Sequence, residues 1–537
     1  MKRIILCFVW VFALTTISFA QLPHSMRVLN YVPDNCYSLE VVNLNDVAHD
    51  LELKDIHQDH LLDFVYKKQK MIKPFIQSWL KNDDKLGVDF DASVATCNST
   101  IIIIPLRNEK NFEKMLAKIS DSEVKFKTTT VAGRQMRQYA DDVVTVLCGK
   151  EVAFVKINDT GLYADELYEL PNPFQWEQVF NSNFLNSNEA KYFLEHDMSM
   201  YWHFNPEHKI MKSLFTLMIG DLSSVRNSLQ KMNVKAFVSG NTTKSALTTV
   251  YEMFEGAEDM QPLFLDKMVA PMDEVEKLLP FAGEKPIALV ASAMKGLGGD
   301  IGTYISSFAS LDNPITLFMD NPFIYSLIDE VNGLFVTTVS GHEEVKNKLQ
   351  QAVENRNRSV DSLYKERKRV YDESMEEEEN NVEAWVLPYQ APDSISNHMF
   401  LLHEEFEGMD LFSMLTSHTS LFDEDASVYY DTTYVLVDNQ YLFVFPEQST
   451  IELIRHPKKP TNISVDQILA HPVYGVVDVN AISQLLGLNV DIPVSDMVLF
   501  LENNTVKISI NASYGLQHGI MYEFVKMVND FMKQRGR

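Results

Sequence analysis

The nearest approaches to a catalytic motif in this chain are two histidine–glutamate clusters, His342-Glu343-Glu344-Val345-Lys346 and His403-Glu404-Glu405-Phe406-Glu407. A zinc peptidase needs two histidines four residues apart on one helix face, with a glutamate between them as the base. Lys346 and Glu407 stand where the second histidine must be, so both clusters read as helix-start acids and surface charge. His57 with His60, and His203 with His208, are close enough in sequence to share a metal. Neither pair has a third ligand at fixed spacing, and no metal site is assigned. Gly296-Leu297-Gly298-Gly299-Asp300-Ile301-Gly302 follows an expected strand in the manner of a phosphate-binding turn. The dinucleotide spacing requires glycine where Ile301 stands, so the stretch reads as a flexible loop. No G-x-S-x-G elbow is present for an acyl-transfer serine. Aspartate and glutamate number 74, too many for spacing alone to place two of them across a sugar. The sequence therefore assigns no catalytic, cofactor-binding or metal-binding residue, and no cofactor is expected.

The elements that would position any site follow one repeated unit. Residues 101–106 are an apolar, β-branched run of strand length. Asn108 can cap the N–H groups that open a helix, and Phe112, Met115, Leu116 and Ile119 then recur at the spacing of an apolar helix stripe. The same strand, cap and helix recur at 37–44, with Asn45 as cap and Val47 and Leu51 on the helix face. A hairpin is expected from 143–147 and 152–157 around Gly149. A strand at 198–204 follows, with Asn205 as cap, Pro206 in the first helical position, and a stripe of Ile210, Met211, Leu214, Phe215 and Met218. Residues 234–239 read as a strand and 246–254 as a helix.

The second half replays this order. Residues 286–293 read as a strand. Residues 334–339 form another, followed by Ser340 and Glu343 in capping-box spacing and a helix face of Val345, Leu349, Ala352 and Val353. A hairpin is expected from 434–437 and 441–445. Residues 474–479 then lead through Asn480 to Ile482, Leu485 and Leu486. The chain ends in a hairpin turning at Asn503-Asn504 and a helix bearing Phe524, Val525, Val528, Phe531 and Met532. One stretch departs from the pattern. Between about 354 and 383 apolar residues thin out, and the basic run Lys365-Glu366-Arg367-Lys368-Arg369 precedes Glu376 to Glu379, as in an exposed helix or a mobile insertion.

Residues 1–20 have the form of a cleaved export signal: Lys2 and Arg3, an apolar run over 4–17, and Ser18-Phe19-Ala20 at the cleavage position. The apolar run is shorter than the roughly 20 residues of a membrane span. Cys7 comes too early to be a lipidation cysteine. The net charge is −27, and loss of Lys2 and Arg3 with the leader takes it to −29. A field of that sign repels nucleic acid and anionic lipid. Hydrophobic residues make up 46% of the chain, enough for packed cores, and 537 residues are too many for one. Beyond the leader stand Cys36, Cys97 and Cys148, an odd number that leaves at least one thiol unpaired. One bridge is compatible with an oxidising compartment, as are three small buried thiols.

The stretches LNYVPDNCYSLEVVNL and IIIIPLRNEKNFEKMLAKI resemble an uncharacterised family of exported Bacteroidota proteins, a domain of unknown function whose members are often lipoproteins. Members read as Pro, apolar strand, Asn-Leu and helix near the mature N-terminus, and later as apolar strand, Pro-Leu, charged turn and Phe-Glu-x-x-Leu. Gln21, the residue that cleavage would leave first, is common among exported proteins of that phylum. This chain lacks the lipidation cysteine of the lipoprotein members, and the resemblance carries over no catalytic residue. The expectation is an α+β protein of two similar halves, 21–270 and 271–537, each an antiparallel-rich sheet with helices packed mainly on one face, with a charged insertion at about 354–383. It is expected in the periplasm or outside the cell, with no nucleic-acid partner and no integral membrane segment after signal cleavage. The leading function is non-enzymatic binding or scaffolding of a protein or glycan partner. The alternative is an extracytoplasmic hydrolase with scattered acidic residues.

Overall fold

The computed structural model describes residues 27–535, outside the segments 69–71, 99–100, 120–124, 141–143, 158–178, 205–233, 256–260, 263–268, 296–313, 330–331, 381–397, 420–427, 488–491 and 514–515 and the positions 35, 181, 197, 320 and 486. The expected leader, the stripe 210–218, the glycine-rich stretch 296–302 and Leu486 lie outside the described residues. Helices and an antiparallel sheet make the chain an α+β protein. It forms two compact units, Met1–Leu265 with Val477–Arg537, and Asp266–Val476. The C-terminal stretch 477–537 thus belongs with the first unit. Among the described residues, no helix is long and apolar enough to cross a membrane.

In the first unit the strands run side by side as Lys127–Val131, Arg134–Ala140, Val144–Cys148, Val152–Ile157, Ile101–Pro105, Ser93–Cys97, Ser38–Asn43, Met200–Phe204, Val234–Thr242, Ala246–Glu255, Thr505–Ala512 and Val494–Glu502, each antiparallel to its neighbours. Ile101–Pro105 is buried at every position. Ile102 and Ile104 enter one core layer and Ile101 and Ile103 the other, as the two-residue period of a strand requires. The first layer is roofed by side chains of helices Leu44–Asp50, Leu53–Gln58, Asp63–Lys68, Ile72–Lys81, Glu109–Ile119 and Ile520–Arg535. The second is covered by the short 3-10 turn Arg27–Tyr31 and helix Asn188–Glu195.

The Ile101–Pro105 unit forms as its residues dictate. Asn108 accepts the Asn111 N–H at 3.1 Å, and Phe112, Met115 and Leu116 are buried. Four other readings need correction. Asn43, not Asn45, caps the first helix, its side chain accepting from Asn45 and Asp46 N–H. Likewise Asp478, not Asn480, accepts the Ala481 N–H at the start of Val479–Leu485. In both, the cap is the last residue of the strand, whose extended backbone lets its side chain reach two or three residues ahead. Residues 246–254 are a strand and not a helix. Thr248, Thr249, Val250 and Tyr251 are β-formers, and they pair with both Val234–Thr242 and Thr505–Ala512. On the last helix Met521, Tyr522 and Asn529 are buried while Phe524 is exposed, so its inward stripe is rotated from the expected one.

In the second unit the order is Met399–Phe406, Met409–Thr419, Val428–Val437, Tyr441–Phe445, Gly333–Thr338, Phe323–Leu327 and Ala288–Ser292, again antiparallel. Ala293 N–H then bonds to the Pro472 carbonyl, at the start of Val473–Asp478. The charged stretch is helical: His342–Asn380 is one continuous helix. Val345 and Leu349 sink into the core. Further along, Asn357 and Asp361 hold it to the start of the outer strand, through Met399 and His398.

Gly87 shows how tightly the Ile101–Pro105 unit is closed. Its φ is +75°, and its carbonyl takes the N–H groups of Arg107 and Asn108. A Cβ there would sit 2.2 Å from the Asn108 carbonyl oxygen and 2.3 Å from the Phe112 nitrogen. Gly133 has nearly the same φ with nothing within 4 Å. Gly133→Ala should cost about 1 kcal/mol for the left-handed conformation, and Gly87→Ala at least about 2 kcal/mol more, because two backbone segments must move. Equal losses in urea unfolding would contradict this packing.

Candidate functional site

The two histidine clusters converge in the second unit. Strands Met399–Phe406 and Met409–Thr419 meet at Glu407-Gly408, where both residues have positive φ, the turn that matches strand twist. Arg455 grips the turn, pairing with Glu407 and lying 5.5 Å over the Phe406 ring. Asp410, opposite Glu405 in the register, is thereby diagonal to His403 on the same face. Its Oδ1 accepts from His403 Nε2 at 2.7 Å. Its Oδ2 meets Nδ1 of His342, the first residue of the long helix. His342 Nε2 faces Asn439 Oδ1 at 3.4 Å, and the His403 ring stacks on Phe412.

Each nitrogen of His342 thus faces an oxygen acceptor, which suits the imidazolium. The Asp410 bond, and then the Asn439 bond, raise its pKa above the ordinary histidine value. The His403 and His342 bonds hold the Asp410 carboxyl below its usual range. Among the described residues no serine, threonine or cysteine bonds to either imidazole. With both carboxylate oxygens occupied and no nucleophile in place, the cluster is an ion-pair network that pins helix start to hairpin. Sequence reasoning found both histidines but missed Asp410, whose partners are 68 and 7 residues away.

A second cluster lies in the first unit. Glu52, in a left-handed conformation, accepts the Gly519 N–H at 2.6 Å and His518 Nδ1 at 2.7 Å. Burial opposes its charge, but the His518 and Gly519 bonds and nearby Lys244 lower its pKa overall. His518 stacks on Tyr522, 3.9 Å between centroids. Glu52, Asp55 and His518 form the only group of three convergent metal-ligating side chains among the described residues, their ligand atoms within 4.8 Å. The bonds of Glu52 to His518 and Gly519 make that pair a clasp: the carboxylate sits at the positive end of helix Ile520–Arg535. His57 Nδ1 bonds Tyr66 and His60 Nδ1 pairs with Asp63. His208 lies outside the described residues.

The outer edge of the second unit carries a different feature. Phe400 and Leu402 lie on one face of Met399–Phe406 at 46% and 58% exposure, beside Tyr430 at 50%. The Phe400 and Tyr430 rings meet edge to face, 6.2 Å apart.

The chain matches no protein-family model, no curated protein and no solved structure.

The His342–Asp410 pair makes a pH prediction. Asp410, with its folded pKa lowered, contributes in full above about pH 4 and loses that contribution as pH falls through the folded value. His342, with its folded pKa raised, contributes in full below about pH 6.5 and loses it as pH rises past the folded value. Both groups are partly exposed, so the gain is about 1 kcal/mol or less. His342→Gln should melt below the unaltered chain at pH 6, with the gap narrowing by pH 9. A gap that stays constant or widens over that range would rule out the charged pair.

Proposed function

We propose that this is an exported, non-enzymatic binding protein that takes an extended segment of a partner protein along its outer strand Met399–Phe406. The observation that carries the reading is the exposed Phe400, Leu402 and Tyr430 beside a strand that, among the described residues, pairs on one side only. Folded proteins blunt such edges with charge, bulges or cover, and clustered exposed apolar groups mark contact surfaces. Here the Asn357 amide covers the first position, both donating to and accepting from the Met399 backbone at 2.8 Å. By the strand period, Leu401, His403 and Glu405 turn their backbone groups to the same side, where an added strand would pair. A glycan fits less well, since the 69° angle between Phe400 and Tyr430 leaves no flat platform for a sugar ring.

The hydrolase alternative needs two carboxyls of shifted pKa facing one cleft. Glu40 is pushed up to about 6 by burial alone. Asp46 and Asp50 are both raised, by burial first, and Asp50 adds to the rise of Asp46. His49 beside them lowers both, however, and they lie four residues apart on the one helix Leu44–Asp50. Export rests on Lys2, Arg3, the apolar run and Ser18/Ala20, and membership of the exported Bacteroidota family on the stretches quoted above. Two similar halves are part of the same proposal. The matching strand orders support a duplication in which Ser38–Asn43 corresponds to Ala288–Ser292, Ile101–Pro105 to Gly333–Thr338, and helix Glu109–Ile119 to His342–Asn380.

Selection of displayed extended peptides on the full chain tests the binding reading. Phe400→Asp and Leu402→Asp should each weaken a selected peptide about tenfold, roughly 1.4 kcal/mol, while Leu185→Asp on the first unit leaves it unchanged. Failure to select any peptide, or peptides indifferent to both strand variants, would remove the reading.

A further inference from the structure

Three cysteines remain after the leader, and the sheet of the first unit sorts them. Cys148 belongs to the core layer roofed by most of the helices, with Ile104 and Ala153. Cys36 and Cys97 lie in the opposite layer, with Leu39, Ile101 and Ile103. A bridge to Cys148 would have to pass through the sheet. Cys36 and Cys97, by contrast, share one layer, and Cys97 lies opposite Leu39, three residues along from Cys36.

Their backbones are held in that relation from both sides. Cys97 pairs with Leu39 in the register of Ser93–Cys97 on Ser38–Asn43. The next residue, Asn98, takes a left-handed conformation with φ +53°, and its side-chain oxygen accepts the N–H groups of Tyr37 and Ser38 at 2.9 and 3.2 Å. Its own N–H returns to the Ser38 carbonyl at 2.8 Å. The Cys36 thiol donates to that same carbonyl at 3.0 Å. Asn98 therefore locks the residue after Cys36 to the residue after Cys97, and holds the two cysteines side by side in one core layer.

We propose that Cys36 and Cys97 form the single disulfide of this chain and that Cys148 stays a free thiol. That the bond is present in the native protein rests on the export reading above. Both thiols are buried in the folded chain, and the neighbouring Cys36, with burial, raises Cys97 well above the ordinary thiol value. The exchange therefore takes place while the layer is still open, with a disulfide-bearing oxidoreductase or small disulfide as oxidant. One cysteine thiolate attacks the oxidant disulfide and releases one of its thiols. The other cysteine then attacks the mixed disulfide, releasing the second. Two protein thiols lose two protons and two electrons, and the oxidant becomes two thiols. Once closed over, the bond is shielded from reductants, and it links the two ends of a loop that holds the helices from Leu44–Asp50 to Ile72–Lys81.

The test uses the full chain in two preparations, each alkylated, denatured and mapped as peptides without reductant. Chain refolded from the reduced state with oxidised glutathione should give a linked Cys36–Cys97 peptide lighter by two hydrogens than its parts. Cys148 should be alkylated only after denaturation, and Cys36→Ser should leave no bond at all. A bridge involving Cys148, or glutathione adducts without the link, would overturn the pairing. Protein from its native host is mapped in parallel with its N-terminal mass. A chain beginning at Gln21 and carrying the link sustains the whole inference, and one beginning at Gln21 with both thiols free overturns it. A chain retaining Lys2 and Arg3 removes the export reading alone, and the refolded preparation still decides the pairing.

Discussion

Burial of one strand from both sides is the constraint on which the first unit depends. Ile101 to Ile104 alternate between two core layers, and each isoleucine contributes roughly 1.5–3 kcal/mol only if its own side is covered. A single layer of helices cannot satisfy that. One side draws on the helices that precede the strand, on the helix that follows it and on the C-terminal helix. The other draws on Arg27–Tyr31 and Asn188–Glu195. The clasp of Glu52 with His518 and Gly519 is one consequence, because the roof is assembled from stretches far apart in the chain. In the second unit Gly333–Thr338 is buried at all but its last position, and the long helix follows it as Glu109–Ile119 follows Ile101–Pro105.

Where local pattern and tertiary demand agree, the elements were legible. The Ile101–Pro105 strand, the Asn108 cap, the Phe112 stripe, the hairpin at Gly149 and the turn at Asn503 all follow from residue type and spacing. Ala246–Glu255 did not, because Leu247, Val250, Met253 and Phe254 also satisfy a helical spacing. Its pairing on both sides, a non-local fact, decides for strand. The two misplaced caps have a simpler cause. Both loops offer more than one Asn or Asp, and only the backbone shows which one ends the strand.

The clusters were half legible. His342 and His403 stand out because each begins a familiar motif, yet their meaning comes from Asp410, which no spacing rule connects to both. Glu52 and His518 are 466 residues apart, and neither has a local signature. The exposed apolar edge was hidden for a different reason. Phe400 and Leu402 look like core residues in a strand pattern, and only the position of Met399–Phe406 at the rim of its unit leaves them in solvent.

Native-state hydrogen exchange tests most directly the claim that centrally buried strands organise each unit and leave the rim open. Amides of Ile101–Ile104 and Gly333–Thr338 should exchange only through global opening of their units. Within Met399–Phe406, the Met399 amide should be protected by Asn357 while those of Leu401, His403 and Glu405 exchange quickly. Outer-strand amides protected as strongly as the central ones, or central strands that open before the rim, would contradict it.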